Sequence, residues 1–196
     1  MRALILALLV GCSTYRGTAH DTSPTKLAAE PGWLLVHDVP YVKQGTEFEC
    51  GAAAIGMVVS YWTQQEPQAI VAHFRPVGER GIAAGKLRDY AREQGLASYL
   101  IEGKLADLER ELAAGRPVLV GLSKPQSKDR VLDHYEVVVG LHRERQRIVT
   151  LDPDEGWREN TLDGFAREWK IAGFVTLIVS AKPAAAAQRS GPMPTN

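Results

Sequence analysis

Helices in the first half of the chain and antiparallel strands in the second predict an α+β domain, and three features carry that expectation. Gly51 to Trp62 is helical in length and composition, yet apolar nearly all round, which marks a helix buried in the centre of a domain. Two further helices, Gly85–Gln94 and Leu105–Ala114, are each stopped by a glycine, Gly95 and Gly115. After them come two segments rich in Val and Ile, Tyr135–Leu141 and Arg147–Leu151, joined by the charged stretch His142–Gln146 in the manner of a hairpin.

The remaining elements fall into place around these. Trp33–Val42 alternates loosely and is expected to enter as a strand. Pro67–Phe74 is a short helix opened by its proline. Ala97–Ile101 and the almost wholly apolar Pro117–Leu122 are strands. Thr161–Trp169 is a short helix, and Gly173–Val179 a closing strand. No internal repeat is present. Residues 33–182 therefore form the patterned domain. Ser13–Gly32 is rich in Thr, Ser, Ala, Pro and Gly with little periodicity and is expected to be a flexible tether. The tail 183–196 is similarly biased and expected to be disordered.

Charge excludes one class of function. Lys and Arg (23) balance Asp and Glu (23) without long like-charged blocks, so nothing draws the protein to nucleic acid.

The N-terminus is a separate unit. Arg2 precedes an unbroken apolar run, Ala3–Val10, too short to span a bilayer but suited to a signal-peptide core. The run ends in Leu9-Val10-Gly11-Cys12, which resembles the lipobox of bacterial lipoproteins. That resemblance implies cleavage after residue 11, lipid on Cys12, and anchoring on the periplasmic face of the envelope. With Ser13 following, it implies the outer membrane of a two-membrane bacterium. Stable attachment takes more than one acyl chain. A lipidated Cys12 cannot form a disulfide, which leaves Cys50 a free thiol in an oxidising compartment.

Cys50 opens the buried helix. There the helix dipole and free N–H groups favour a thiolate. Gln44, six residues upstream, can bring a side-chain N–H to the same place, where with the Cys50 backbone N–H it would bind an oxyanion. Taken alone, a buried cysteine is more often inert. His134 and Asp152 alter the balance, because they sit at opposite ends of the two strand segments. The midpoint between them is Arg143. An odd-length loop centred there would set the two side chains directly opposite, with Cβ atoms about 5 Å apart. A slip of one residue would send them to different faces.

Gln44-x₅-Cys50-Gly51, then His134-Tyr135 opening a Val-rich strand, then Asp152-Pro153 with Gly156 beyond, resembles the bacteriocin-processing (double-glycine leader) peptidases, a group of papain-like cysteine peptidases. The resemblance runs over roughly Val39 to Val179. It implies a papain-like fold, in which a buried N-terminal helix carrying the nucleophile packs on an antiparallel sheet. It also implies Cys50 as nucleophile, His134 as general base, Asp152 as orienting carboxylate and Gln44 as oxyanion donor. Glu49 stands where Asp is common, and the exporter with its ATPase to which better-known members are fused is not in this chain.

The expected activity is that of an endopeptidase cutting an exported peptide or protein at the membrane surface, through a thioester acyl-enzyme. An export machinery is a candidate partner. No cofactor or metal is expected: a glycine-bounded stretch at Gly81–Lys86 fails the phosphate-loop pattern, and His20, His37, His73 and His142 lack metal spacing. The four tryptophans are expected in the core or at its rim. Glu136 alternates onto the face of His134, a place from which it could tune that residue, but it is expected to be solvated. Two alternatives remain. A cell-wall peptidoglycan amidase would usually carry Ser, not Gly51, after the cysteine. A catalytically idle peptide-binding domain would be free to lose one of the four residues.

Overall fold

Among the described residues, one eight-stranded antiparallel sheet is the frame on which the helices pack. The computed structural model describes residues 18–74, 81–125 and 131–182. The proposed signal segment, Cys12 and the tail 183–196 lie outside the described residues. In chain order the elements are β1 (His20–Asp21), α1 (Pro24–Ala28), β2 (Leu34–Leu35), α2 (Cys50–Thr63), α3 (Pro67–Phe74), α4 (Ala84–Glu93) and β3 (Ala97–Glu102). Next come α5 (Leu105–Ala113), β4 (Val118–Pro125), β5 (Val131–His142), β6 (Arg147–Asp152), β7 (Gly156–Thr161), α6 (Leu162–Ile171) and β8 (Val175–Ser180). The strands lie in the order β1-β7-β6-β5-β4-β8-β3, with β2 added along β5.

Every residue of α2 from Cys50 to Ser60 is buried, as a helix apolar on all sides requires. Side chains such as Ile55, Met57 and Val58 are fully enclosed, each contributing about 1.5–3 kcal/mol by burial. Gly56 lets α3 approach closely, since a Cβ there would stand 3.3 Å from the Pro67 carbonyl oxygen. The helix stops at Gln64, whose backbone is left-handed (φ 61°) and whose N–H caps the Ser60 carbonyl at 2.9 Å.

Two sequence expectations are corrected. The extended stretch 33–42 yields only the two-residue β2. Asp38 adopts a left-handed backbone (φ 60°) and Pro40 has no N–H, so the ladder cannot continue. The expected tether is partly folded onto the domain. Ser23 caps α1 by accepting from the Lys26 N–H, Leu27 is buried in the core, and β1 pairs with β7. The packed domain therefore begins well before Trp33.

The four tryptophans are core or rim residues. Trp62 and Trp169 donate their indole N–H to the carbonyls of Val179 and Val175, and Trp33 stacks edge-on against His142.

Candidate active site

Cys50 is the first residue of α2, so its sulfur lies where the helix presents unpaired N–H groups and the positive end of its dipole. The approach to it is a short, tied-down loop. The Gly45 N–H donates to the Glu49 carboxylate at 2.7 Å, and the Glu49 N–H to the Thr46 carbonyl at 3.1 Å. Glu49 thus closes the turn that delivers Cys50. Gly51 permits contact with Tyr135, for a Cβ there would lie 3.2 Å from that ring.

His134 reaches this sulfur from β5. Its Nε2 bonds to Asp152 Oδ1 at 2.7 Å, and it shares a hydrogen bond with Cys50. With Nε2 committed to the carboxylate, Nδ1 is the nitrogen left for the thiol. Both His134 and Asp152 are buried. Burial works against the imidazolium, but the hydrogen bonds to Asp152 and Cys50 and the Asp152 charge outweigh it, and the His134 pKa is pushed up to about 10. Burial also opposes the Asp152 charge, yet the hydrogen bond from His134 and the nearby cations hold its carboxyl well below the usual carboxylate range.

The hairpin that joins His134 and Asp152 differs from the expected one. Its loop is the four-residue turn 143–146, even rather than odd. From His142↔Arg147 to Gly140↔Val149 the strands pair residue for residue. Continued in that register, Asp152 would face Val137, on the side of the sheet away from His134. A β-bulge intervenes between Val138 and Gly140, after which the pairs are Val138↔Thr150 and Val137↔Leu151. One more step sets Asp152 opposite Glu136, on the face of His134. The two residues are therefore diagonal rather than direct neighbours, and a single extra residue, Val139, restores the face that the even loop would have lost. The Val36 N–H, from the residue just after β2, bonds to the Val139 carbonyl at 2.8 Å and caps the bulge.

Gln44 is tied to the same corner. Its backbone N–H donates to the Pro153 carbonyl at 2.8 Å, which also accepts from the Tyr41 hydroxyl at 3.2 Å. Its side-chain Oε1 is buried with no hydrogen-bond partner among the described residues.

Behind the histidine lies a charged cluster that hydropathy does not reveal. Glu136 is buried, contrary to the expectation of a solvated strand residue, and so are Lys124 on β4 and Glu168 on α6. Lys124 Nζ lies 2.9 Å from Asp152 Oδ2 and forms an ion pair with Glu136. Burial disfavours the ammonium, but Glu136 and Asp152 more than offset this and hold its pKa above the ordinary lysine value. Burial, with Glu136 and Asp152 adding to it, pushes Glu168 up to about 7 against the opposing pull of Lys124 and Arg167. His134, Glu136 and Asp152 offer ligand atoms within 4.8 Å of one another, a grouping that could hold a metal ion. The cation already at those two carboxylates is Lys124.

A cavity of about 490 Å³ has Cys50 in its lining. Ile82, Leu122, Tyr135, Ile171 and Val175 give it apolar walls, and Ser123 and Asp133 bond to each other at 2.6 Å on its lining.

A thiol on a helix N-terminus beside a carboxylate-bound histidine agrees with what comparison with known proteins finds. The sequence pattern of the Peptidase C39 family matches residues 38–183. The chain belongs to this family. Among solved structures, a C39-like peptidase from Bacillus anthracis superposes with a TM-score of 0.63 at 16% identity, covering 78% of this chain and 99% of that one. The peptidase domain of Streptococcus ComA, a bi-functional ABC transporter involved in quorum sensing, gives 0.59 at 19% identity, covering 74% and 100%. A double glycine motif protease from an AMS/PCAT transporter, in complex with the leader peptide, gives 0.58 at 22%, covering 74% and 93%. No curated protein matches the chain. As a C39 peptidase, the protein is a cysteine peptidase acting on peptides, and its mixed helix-and-sheet architecture is that of its papain-like neighbours.

Proposed function

We propose that this protein is a lipid-anchored endopeptidase that cuts an exported peptide or protein through an acyl-enzyme on Cys50. The observation that carries the reading is the hydrogen-bonded sequence from Cys50 to His134 to Asp152 at the head of a buried helix. The chemistry runs in two halves. The Cys50 thiolate attacks the scissile carbonyl, and the Cys50 N–H and the Gln44 side chain receive the oxyanion. The His134 imidazolium then gives its proton to the departing amine, leaving a thioester. Neutral His134 next takes a proton from water, the resulting hydroxide attacks the thioester, and acid and thiol separate. Asp152 holds the ring and stabilises its charged form throughout.

The apolar cavity beside Cys50 suits a peptide segment rather than a sugar strand. The neighbour bound to its leader peptide supports a substrate with a leader of its own. The short apolar run ending at Cys12 supports a lipid anchor on the periplasmic face, and Ser13 after it supports the outer membrane.

Two experiments test this. N-terminal peptide profiling of the envelope with wild type and with Cys50→Ala should show new termini only in wild type, and identical profiles would remove the endopeptidase reading. Cys12→Ala should move the protein to the soluble fraction, while residues 18–182 alone stay soluble and active. A Cys12→Ala protein still firmly in the membrane would remove the anchor.

A further inference from the structure

The two carboxylate oxygens of Asp152 have different partners. Oδ1 accepts from His134 Nε2 at 2.7 Å and from the backbone N–H groups of Asp154 and Glu155 at 2.8 and 3.4 Å. Oδ2 accepts from Lys124 Nζ at 2.9 Å. Lys124 is only 7% exposed, and it contacts Glu136, itself 2% exposed, with the same ammonium.

This arrangement resolves a competition. By strand alternation Glu136 shares the face of His134, two residues along β5, and the register sets Asp152 beside it. Two buried carboxylates therefore stand within reach of one imidazole. Without a second cation, both would compete for the His134 proton, and one would take up a proton of its own. Lys124, brought to the same face by the β4–β5 pairing, occupies Glu136 and the far oxygen of Asp152 together. Of the two Asp152 oxygens, Oδ1 is then the one left for His134.

We infer that Lys124 is a positioning residue of this peptidase, fixing which carboxylate, and which of its oxygens, orients His134. The inference rests on the reading of Cys50, His134 and Asp152 as the reacting groups. The groups facing Asp152 are His134 and Glu136 from β5, Lys124 from β4, Glu168 with Arg167 behind it from α6, Tyr41 from the loop before α2, and Asp154 and Glu155 from its own turn. Among these, Lys124 is the cation that bonds Asp152 directly, apart from His134 itself.

The test uses alkylation of Cys50 by iodoacetamide as a function of pH, which needs no knowledge of the substrate. Lys124→Met keeps the length of the stem and removes the charge. It should raise the midpoint of the acid limb by about one pH unit, a tenfold slower reaction below that midpoint. Glu136→Gln removes the competing anion and should move the midpoint in the opposite direction. A purely structural lysine would lower the melting temperature and leave both midpoints in place. Folded Lys124→Met with an unmoved midpoint overturns the inference. If Lys124→Met does not fold, Glu136→Gln decides, and an unmoved or raised midpoint there overturns it. Cys50→Ala separates the two levels. Peptide cleavage surviving in Cys50→Ala sinks the assignment of the reacting groups. Cleavage that requires Cys50, together with unmoved midpoints, sinks only the role of Lys124.

Discussion

Replacing Asp152 by asparagine keeps the shape of the side chain and removes its charge, and the neighbours of its two oxygens decide how the site responds. Three donors converge on Oδ1, from His134, Asp154 and Glu155, so an amide oxygen is drawn to that position. The amide N–H₂ then faces the Lys124 ammonium, where Oδ2 now accepts at 2.9 Å, and donor meets donor. The flipped amide satisfies Lys124 but turns its N–H₂ on the three donors at Oδ1. Either way a charge-assisted hydrogen bond is lost, worth about 1.5–3 kcal/mol. If that loss falls on the imidazolium, alkylation of Cys50 and peptide cleavage should both slow by ~10- to ~10²-fold at neutral pH. Both rates are measured on one preparation, with near-UV circular dichroism to verify the fold. Adding Lys124→Met to Asp152→Asn removes the donor clash and should recover part of the loss, a coupling that a double-mutant cycle reads directly. Asp152→Asn within about threefold of wild type in both assays would show that the 2.7 Å contact does not orient a working base.

The same geometry sets three further outcomes. Gln44→Ala should cut peptide cleavage by roughly 10²–10³, the cost of one oxyanion donor, while Cys50 alkylation stays near the wild-type rate; equal loss in both would make Gln44 structural. Glu168 has its pKa raised by burial from 4.5 to about 7, so the native state binds more protons than the unfolded one across that window. Its contribution is present below 4.5 and lost as pH rises through 7, so melting temperature should decline over that range and Glu168→Gln should flatten the decline. A protein beginning at Trp33 loses Leu27 from the core and the Asp21 and Ala19 partners of buried Arg158. It should be less stable than residues 18–182 by about 1.5–3 kcal/mol from the lost Leu27 burial in urea titration, and equal midpoints would mean that the N-terminal segment packs without stabilising.

Most of the helical layer is legible in the sequence because its signals are local. Apolar residues on every side of 51–60, and glycines at 95 and 115 closing α4 and α5, mark elements that the structure places within a residue or two. The missing elements are those whose burial depends on pairing. The β7 strand, Gly-Trp-Arg-Glu-Asn-Thr, has no apolar alternation, yet Arg158, Glu159 and Asn160 are all buried. Their polarity is satisfied by Asp21 and the Ala19 carbonyl, by Arg147 and by Thr18, all distant in sequence. Hydropathy cannot register a strand whose buried side chains are polar and find their partners on other segments. The α1 helix did carry a local mark: Ser23 followed by Pro24 is an N-cap with proline at the first helical position.

The site shows the same division at higher stakes. Residue type and spacing single out Cys50, His134 and Asp152 from a distance, because a helix N-terminus and two strand ends are local features. Which face Asp152 occupies is not local. Parity along a hairpin is set by the loop and by every irregularity in the ladder, and this hairpin has two that cancel: an even loop and a one-residue bulge at Val139. The bulge has no marker in the run of valines, because the Val139 carbonyl that distinguishes it accepts from the Val36 N–H, in the segment just after β2 and far away in sequence. Lys124 and Glu136 are hidden for a related reason. Each looks like a solvent-facing residue in an apolar strand until its partner is found on a neighbouring strand, and only the pair makes burial affordable. A charged residue inside a Val-rich strand, on the alternation face of a candidate catalytic histidine, is therefore better read as half of a buried pair whose other half should be sought on the strands beside it.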